Sequence, residues 1–328
     1  FERHLDALQA FQLRILRALQ VSGQTAFYLD YEDLQEVEVM NGLAAWLGVE
    51  GRLEGLDKKL KKQNPEPLEA RVENYEEMVG ALSRLDRFDL GRTPVFEPRR
   101  GPAVPSYVAA PEAGLLYMPV RSGPEAAVRD WLSALDDGAP VQDGMNQGTL
   151  RKWRLAHPRH RSFTVLRHPL ARAHAAFCDR ILATGQGSYP EIRKSLMQVF
   201  KLPLPKGPDA EGYDLSTHRA AFLGFLGFVK ANLGGQTNLR VDPAWASQLT
   251  IVQGWAQLAP PDLMLREEGL AEALARLAEG SGRTAPRLGE TDPHARVLEA
   301  IHDPELEAAG REAYGRDYEV FGFGNWRA

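Results

Sequence analysis

Apolar positions along the chain alternate between helical stripes and short continuous runs. Residues 3–20 (RHLDALQAFQLRILRALQ) repeat apolar side chains at three- and four-residue intervals, which predicts an amphipathic helix. GQTAFYLDYEDL (23–34) reads as a turn, a short strand and an acidic exit. EVEVMNGLAAWLGV (36–49) predicts a second helix with Gly48 as its C-terminal cap. After the basic, Pro-broken loop at 58–68, RVENYEEMVGALSRL (71–85) predicts a third. Periodicity then stops: Arg92–Gly114 is proline-rich and reads as a linker. A different pattern follows. GLLYMPV (114–120) is an apolar strand, and GPEAAVRDWLSAL (123–135) a helix with Pro124 in its first turn, where a missing N–H costs little. SFTVL (162–166) is the next strand, succeeded by a helix from Pro169 to Thr184. A mobile loop at 201–213 precedes an apolar helix over 216–233, for which Ser216 is the expected N-cap and Gly224 and Gly227 imply close packing. Strands alternating with helices predict an α/β fold, a parallel sheet flanked by helices, with an extra, mainly helical N-terminal segment.

Composition narrows the class. With 328 residues, 44% hydrophobic and 25% charged, the chain has room for one large or two ordinary domains. The net charge of -5 argues against a general nucleic-acid partner, so an anionic ligand needs local positive groups. One cysteine, Cys178, excludes an internal disulfide and fits a reducing, cytoplasmic setting as a small buried residue. No run is long enough to span a bilayer, and no signal peptide is recognised. The start at Phe1, inside a helical pattern, reads as part of a longer protein.

Two stretches share one design. In MPVRSGPEAAV and TVLRHPLARAH a strand ends, an arginine follows, and a helix begins. Free N–H groups and the macrodipole favour an anion at a helix start. Gly123 would let the backbone approach a phosphate, and an arginine fork can grip one through two hydrogen bonds. If the two strands are neighbours, both arginines lie at the carboxyl edge of the sheet, where such folds bind ligands. Solvated or ion-paired arginine is the competing reading for Arg121 and Arg167. No Walker loop is present, which counts against a P-loop-like kinase. No His/Cys/Asp spacing matches a metal site, so none is expected.

FTVLRHPLARAHAAF resembles the 3′-phosphate motif of sulfotransferases that use 3′-phosphoadenosine 5′-phosphosulfate (PAPS), matching at Arg167, Pro169, Arg172 and Phe177. VRSGP resembles the 5′-phosphosulfate loop of bacterial, nodulation-type members, and AYGRDYEVFGFGNW the terminal segment of the carbohydrate sulfotransferases. FYLDYEDLQEVEVMNGLAAWLG (27–48) and DLMLREEGLAEALARLAEGSG (262–282) both resemble the late strand–Glu–helix segment. The resemblance implies a P-loop-like sulfotransferase fold. Residues 1–92 would be the C-terminal remnant of a first module, 93–112 a Pro-rich linker and 113–328 a second, degenerate module. An apolar exposed face on 1–92 is expected if a front module belongs there.

The same resemblance implies PAPS as sulfuryl donor, without a metal, and a carbohydrate or other hydroxyl-bearing acceptor. Arg121, Ser122 and Gly123 would hold the 5′-phosphosulfate, with Arg167 and Arg172 at the 3′-phosphate. The catalytic base is unknown; Glu125 and His168 are candidates by placement, set against a first-turn helix acid and a strand-end histidine. Partners would be the N-terminal module of the same protein and a second copy in a homodimer. Two departures point to a weak or inactive copy: Ala175 replaces a motif serine, and Pro124 a motif hydroxyl. Each lost hydrogen bond to a charged group is worth about 1.5–3 kcal/mol, together roughly two to four powers of ten in affinity. The alternative to an active sulfotransferase is therefore a non-catalytic module that packs, binds acceptor or dimerises. Glu267 and Glu268 resemble a paired-carboxylate site, but the position that the family resemblance gives them implies structural ion pairing at a strand end. Trp245 and Trp255 are noted as near the family's acceptor side.

Overall fold

A computed structural model describes residues 2–56 except 23, 25, 28, 30–33 and 35, then 68–83, 107–145, 147–205, 212–237, 239–256 and 259–327. The chain divides into two compact units: residues 1–100 with 231–240, and residues 101–230 with 241–328.

In the first unit the helical stripes become α1 (Glu2–Ser22), α2 (Val37–Trp46), α3 (Leu68–Arg71) and α4 (Tyr75–Ser83). Gly48 takes a left-handed conformation just past α2, as its capping role requires. The predicted third helix corresponds to α4, which begins at Tyr75, and α3 precedes it as a separate single turn that reaches back into the expected loop. Described residues 26, 27 and 29 of the expected short strand are not in a strand, and Phe27 packs at 6.1 Å on Trp46. The Asn41 side chain pins Leu53 through both of its backbone polar groups. Leu8, Phe11 and Ile15, one helical stripe of α1, are exposed.

The second unit is an α/β fold around a four-stranded, mostly parallel sheet: β1 (Val108–Ala109), β2 (Leu115–Tyr117), β3 (Arg161–Leu166) and β4 (Leu263–Arg266), in that spatial order. β2, β3 and β4 run parallel, and β1 joins β2 antiparallel. β1 lies inside the stretch read as linker: its residues are completely buried and pair with the sheet. Residues 93–106 lie outside the described residues. The apolar runs of β2 and β3 follow from cover on both faces. Val128, Trp131 and Leu132 of α5 (Glu125–Leu135) and Leu270 and Leu274 of α11 (Leu270–Gly280) join Tyr117, Phe163 and Val165 in one core. Leu116 and Ala109 meet Trp153 of α6 (Gln147–Ala156) in another.

The expected helix after β3 is α7 (Pro169–Ala176), which continues into a π-helical turn, Phe177–Leu182. α8 (Pro190–Gln198), α9 (Leu215–Leu233), α10 (Gln248–Ala256), α12 (Ala295–Ile301) and α13 (Pro304–Phe321) complete the fold. Asp214, not Ser216, caps α9: its carboxylate accepts from the Thr217 N–H and from the Ser216 hydroxyl. Gly224 does meet close packing, since a Cβ there would sit 3.2 Å from Leu202, but Gly227 has open space beside it. Trp245 and Trp255 are fully buried, Trp245 among Phe225, Phe228 and Tyr189. Among the described residues no helix is long and apolar enough to cross a membrane.

Candidate functional site

β2 and β3 are adjacent and parallel, so the two strand–arginine–helix turns stand side by side at the carboxyl edge of the sheet. Between β2 and α5 the chain turns through Arg121, Ser122 and Gly123. Gly123 N–H closes the turn onto the Val120 carbonyl at 3.0 Å. Only glycine fits at 123, because a Cβ would stand 2.8 Å from that carbonyl oxygen. Ser122 adopts φ 61°, a left-handed conformation that costs a non-glycine residue about 1–3 kcal/mol. Its Oγ is buried and has no hydrogen-bond partner among the described residues. No side chain caps α5, whose first-turn N–H groups follow Pro124. Arg121 is exposed. Glu125 sits in the first turn of α5 and faces Arg129, one helical turn on, at 3.8 Å.

The turn between β3 and α7 is built in the opposite way. Arg167 is 2% exposed and its guanidinium is fully engaged. Nε and Nη2 donate to the two carboxylate oxygens of Glu267 at 2.6 and 2.7 Å, Nη1 donates to the Ser122 carbonyl at 3.0 Å, and Nη2 also donates to the Thr291 carbonyl. Asp292 lies 4.0 Å from Nη1. Burial opposes the charge of Arg167, but the hydrogen bond and charge of Glu267, with Asp292, outweigh it and hold its pKa above the ordinary value. Its backbone is equally committed: the Arg167 N–H donates to Gln248 Oε1, and Gln248 Nε2 donates to the Arg167 carbonyl. Gln248 is fixed in turn by Asp317, which accepts from its N–H, from the Leu249 N–H and from the Ser247 hydroxyl.

Arg172 is also a brace. It is 1% exposed and donates to the carbonyls of Arg121 (2.8 Å), Ala246 (2.5 Å) and Pro243 (2.8 Å). Burial lowers its pKa. Arg167 and Arg172 thus hold the Arg121–Gly123 turn by its carbonyl oxygens, and both direct their guanidinium groups into the protein. His168 caps α7, its Nδ1 accepting from the Leu170 N–H, which leaves the proton on Nε2 to donate to the Gly324 carbonyl at 3.1 Å. Both ring nitrogens are spent, Tyr318 and Phe323 pack edge-on, and burial depresses its pKa. Such a histidine is built to cap a helix, with no nitrogen left to accept a substrate proton.

The remaining readings resolve by location. Glu267 follows β4 and pairs with Arg167, the strand-end ion pairing its sequence position implies. Glu268 stands 3.9 Å from Arg266. His157 and His160 precede β3 at the amino edge, hydrogen-bonded to backbone carbonyls and packed on Trp153. They border a groove lined by Glu112, Arg161, Arg276 and Ser281, at the edge opposite the two arginine turns. Thr291, Asp292 and Gln248, which seal the second turn, carry no local sequence signal: each lies more than 80 residues from Arg167 along the chain.

Chemically, the first turn offers an anion an exposed cation and an uncapped helix start, while its unpartnered Ser122 hydroxyl is buried. The second offers a closed ion pair. No protein-family model, curated protein or solved structure matches the chain.

Proposed function

We propose that the second unit, residues 101–230 with 241–328, is a degenerate sulfotransferase-like module. It holds a single phosphate- or sulfate-type anion at the Arg121–Pro124 turn and does not carry out transfer from PAPS. The observation that carries this reading is the bidentate, buried Arg167–Glu267 pair. A donor with phosphates at two ends needs both turns. The second turn would have to give up an internal carboxylate, two carbonyl contacts and a helix cap before it could receive a phosphate. PAPS therefore fits the first turn and does not fit the second. The module then acts by packing or by binding, for instance by presenting an anionic acceptor such as a carbohydrate bearing sulfate or phosphate groups.

A second reading, an active PAPS-dependent sulfotransferase acting on a carbohydrate hydroxyl, is favoured by one feature, the orphaned Ser122 Oγ beside an uncapped helix. The two readings separate in a transfer assay with sulfur-labelled PAPS over a panel of sugar hydroxyl acceptors, run alongside an amide-resolved titration with inorganic phosphate. The expected result is no labelled product and a phosphate-induced shift confined to residues 121–127. Turnover on any acceptor overturns the non-catalytic reading, and a flat phosphate titration overturns the anion site.

A further inference from the structure

A second group of reactive side chains lies away from both turns. His174 is on the last turn of α7, Cys178 is the second residue of the π-helical turn that follows, and His218 is on α9. Four residues separate His174 from Cys178, which puts both on one helix face. π-Helical turns recur at functional sites, and this one begins at Phe177, between the two residues' turns of helix. His174 Nε2 lies 2.9 Å from His218 Nε2 and 3.6 Å from Cys178 Sγ, and all three atoms are within 4.8 Å of one another. All three residues are buried.

These separations match the edges of a metal polyhedron. Zinc–nitrogen bonds of about 2.0–2.1 Å and zinc–sulfur bonds of about 2.3 Å at tetrahedral angles place two nitrogens about 3.3 Å apart and nitrogen and sulfur about 3.6 Å apart. A small outward movement of two imidazoles completes the fit. The surroundings suit a bound ion as well. His218 Nδ1 meets the Tyr213 hydroxyl at 3.2 Å, the outer contact that orients a ligating histidine. Phe177 and Phe222 wall the cluster. His294, partly exposed and paired with Asp179, packs edge-on against His174. His174 Nδ1 is buried and has no partner among the described residues, which leaves it able to take the proton that Nε2 would give up to a metal ion.

We propose that His174, Cys178 and His218 bind a zinc-class divalent transition-metal ion through Nε2, Sγ and Nε2, with a fourth position left to water. Two imidazoles and a thiolate select borderline and soft ions and exclude calcium and magnesium, which require oxygen ligands. Without the ion, the proton on His174 Nε2 bridges to His218 Nε2. On binding, that proton moves to His174 Nδ1, the thiol proton of Cys178 leaves to solvent, and the three freed lone pairs face the ion.

The test is titration of the full chain, stripped with chelator and reduced, with Co²⁺ followed by optical absorption. The expected result is one equivalent bound, with a thiolate-to-cobalt charge-transfer band and strong tetrahedral ligand-field bands, all bleached by one equivalent of Zn²⁺. Cys178→Ala removes the charge-transfer band, and Tyr213→Phe weakens binding by about 10–100-fold, while His157→Ala changes neither. Cys178→Ser, close in size, serves if the alanine variant does not fold, as judged by circular dichroism. A folded parent chain that shows no such bands in excess Co²⁺ overturns the proposal, as do bands that persist when Cys178 is gone.

Discussion

Two turns of the same local design, side by side on one sheet edge, have opposite characters. The β2–α5 turn has an exposed arginine, a strained serine with an orphaned hydroxyl, a glycine that nothing larger can replace and an uncapped helix. The β3–α7 turn has a buried arginine saturated by a carboxylate and carbonyls, a histidine cap and a glutamine clamp on its backbone. Both begin as strand–arginine–helix. What separates them is where the partners of the arginine come from. The chain brings Glu267 from the end of β4 because β4 pairs in register with β3, Leu166 opposite Arg266. The neighbouring strand thus supplies the counter-ion that closes the second turn, while the first turn, which follows β2 on the other side of β3, receives none among the described residues. Closure of the second also serves the first, since Arg167 and Arg172 grip the carbonyls of Ser122 and Arg121.

The largest test of this contrast is to remove one half of the buried pair. Glu267→Gln leaves the buried Arg167 charge with Asp292 alone as a counter-ion, 4.0 Å from Nη1, and should cost about 3 kcal/mol in urea-induced unfolding. Replacing both partners with apolar residues, Arg167→Met with Glu267→Leu, should cost much less. Equal losses for the single and double replacements would mean that Arg167 contributes by packing alone.

Next in size, Gly123→Ala drives a methyl group into the Val120 carbonyl. A loss of about 1–3 kcal/mol is expected, read as a lower melting temperature, together with loss of the phosphate-induced amide shifts. Ser122→Gly acts in the other direction. It removes the left-handed strain and the unpartnered hydroxyl at the expense of a floppier unfolded chain, so a net gain of about 1 kcal/mol is expected, with weaker anion binding. A loss of stability on that change would show that Ser122 Oγ is satisfied in the folded protein.

The smallest effect is the share of the pH dependence that the closed turn adds to that of the buried His174 and His218, whose pKa values burial also lowers. Burial sets the pKa of His168 below its unfolded value of about 6.5. The unfolded chain then binds the proton first, so the contribution of His168 is complete above about 6.5 and declines as pH falls from there toward the folded pKa. His168→Asn keeps a capping acceptor and does not titrate. Its unfolding free energy should lose slope against pH just below 6.5, and an unchanged slope would place the titration elsewhere.

Much of this was legible in the sequence because it is local. The runs LLY and SFTVL announce β2 and β3, the stripe EAAVRDWLSAL announces α5, and Arg121 and Arg167 are readable as residues that follow strands. The acidic pair after DLMLR resembles a paired-carboxylate site by itself and was structural only by the family resemblance; Glu267 pairs with Arg167. What was not legible depends on distance along the chain. Val108–Ala109 is too short to show periodicity and becomes a strand only by pairing with β2. The Gln248 clamp and the Asp317 network are set by helices that meet after folding. Of the histidine–cysteine cluster, only the four-residue step from His174 to Cys178 could be read; His218 enters through the packing of α9. At α9 the cap falls on Asp214, two residues before Ser216, because the carboxylate reaches both an N–H and two hydroxyls.

The central claim, that the second turn is closed to phosphate, is tested most directly by calorimetric titration of the chain with 3′-phosphoadenosine 5′-phosphate, in parallel with Arg167→Met. The account predicts no saturable binding tighter than about 1 mM, equivalent to about 4 kcal/mol, for either protein. Micromolar binding by the parent chain that Arg167→Met abolishes would contradict it, and would make Arg167 a phosphate ligand that leaves Glu267 when the nucleotide arrives.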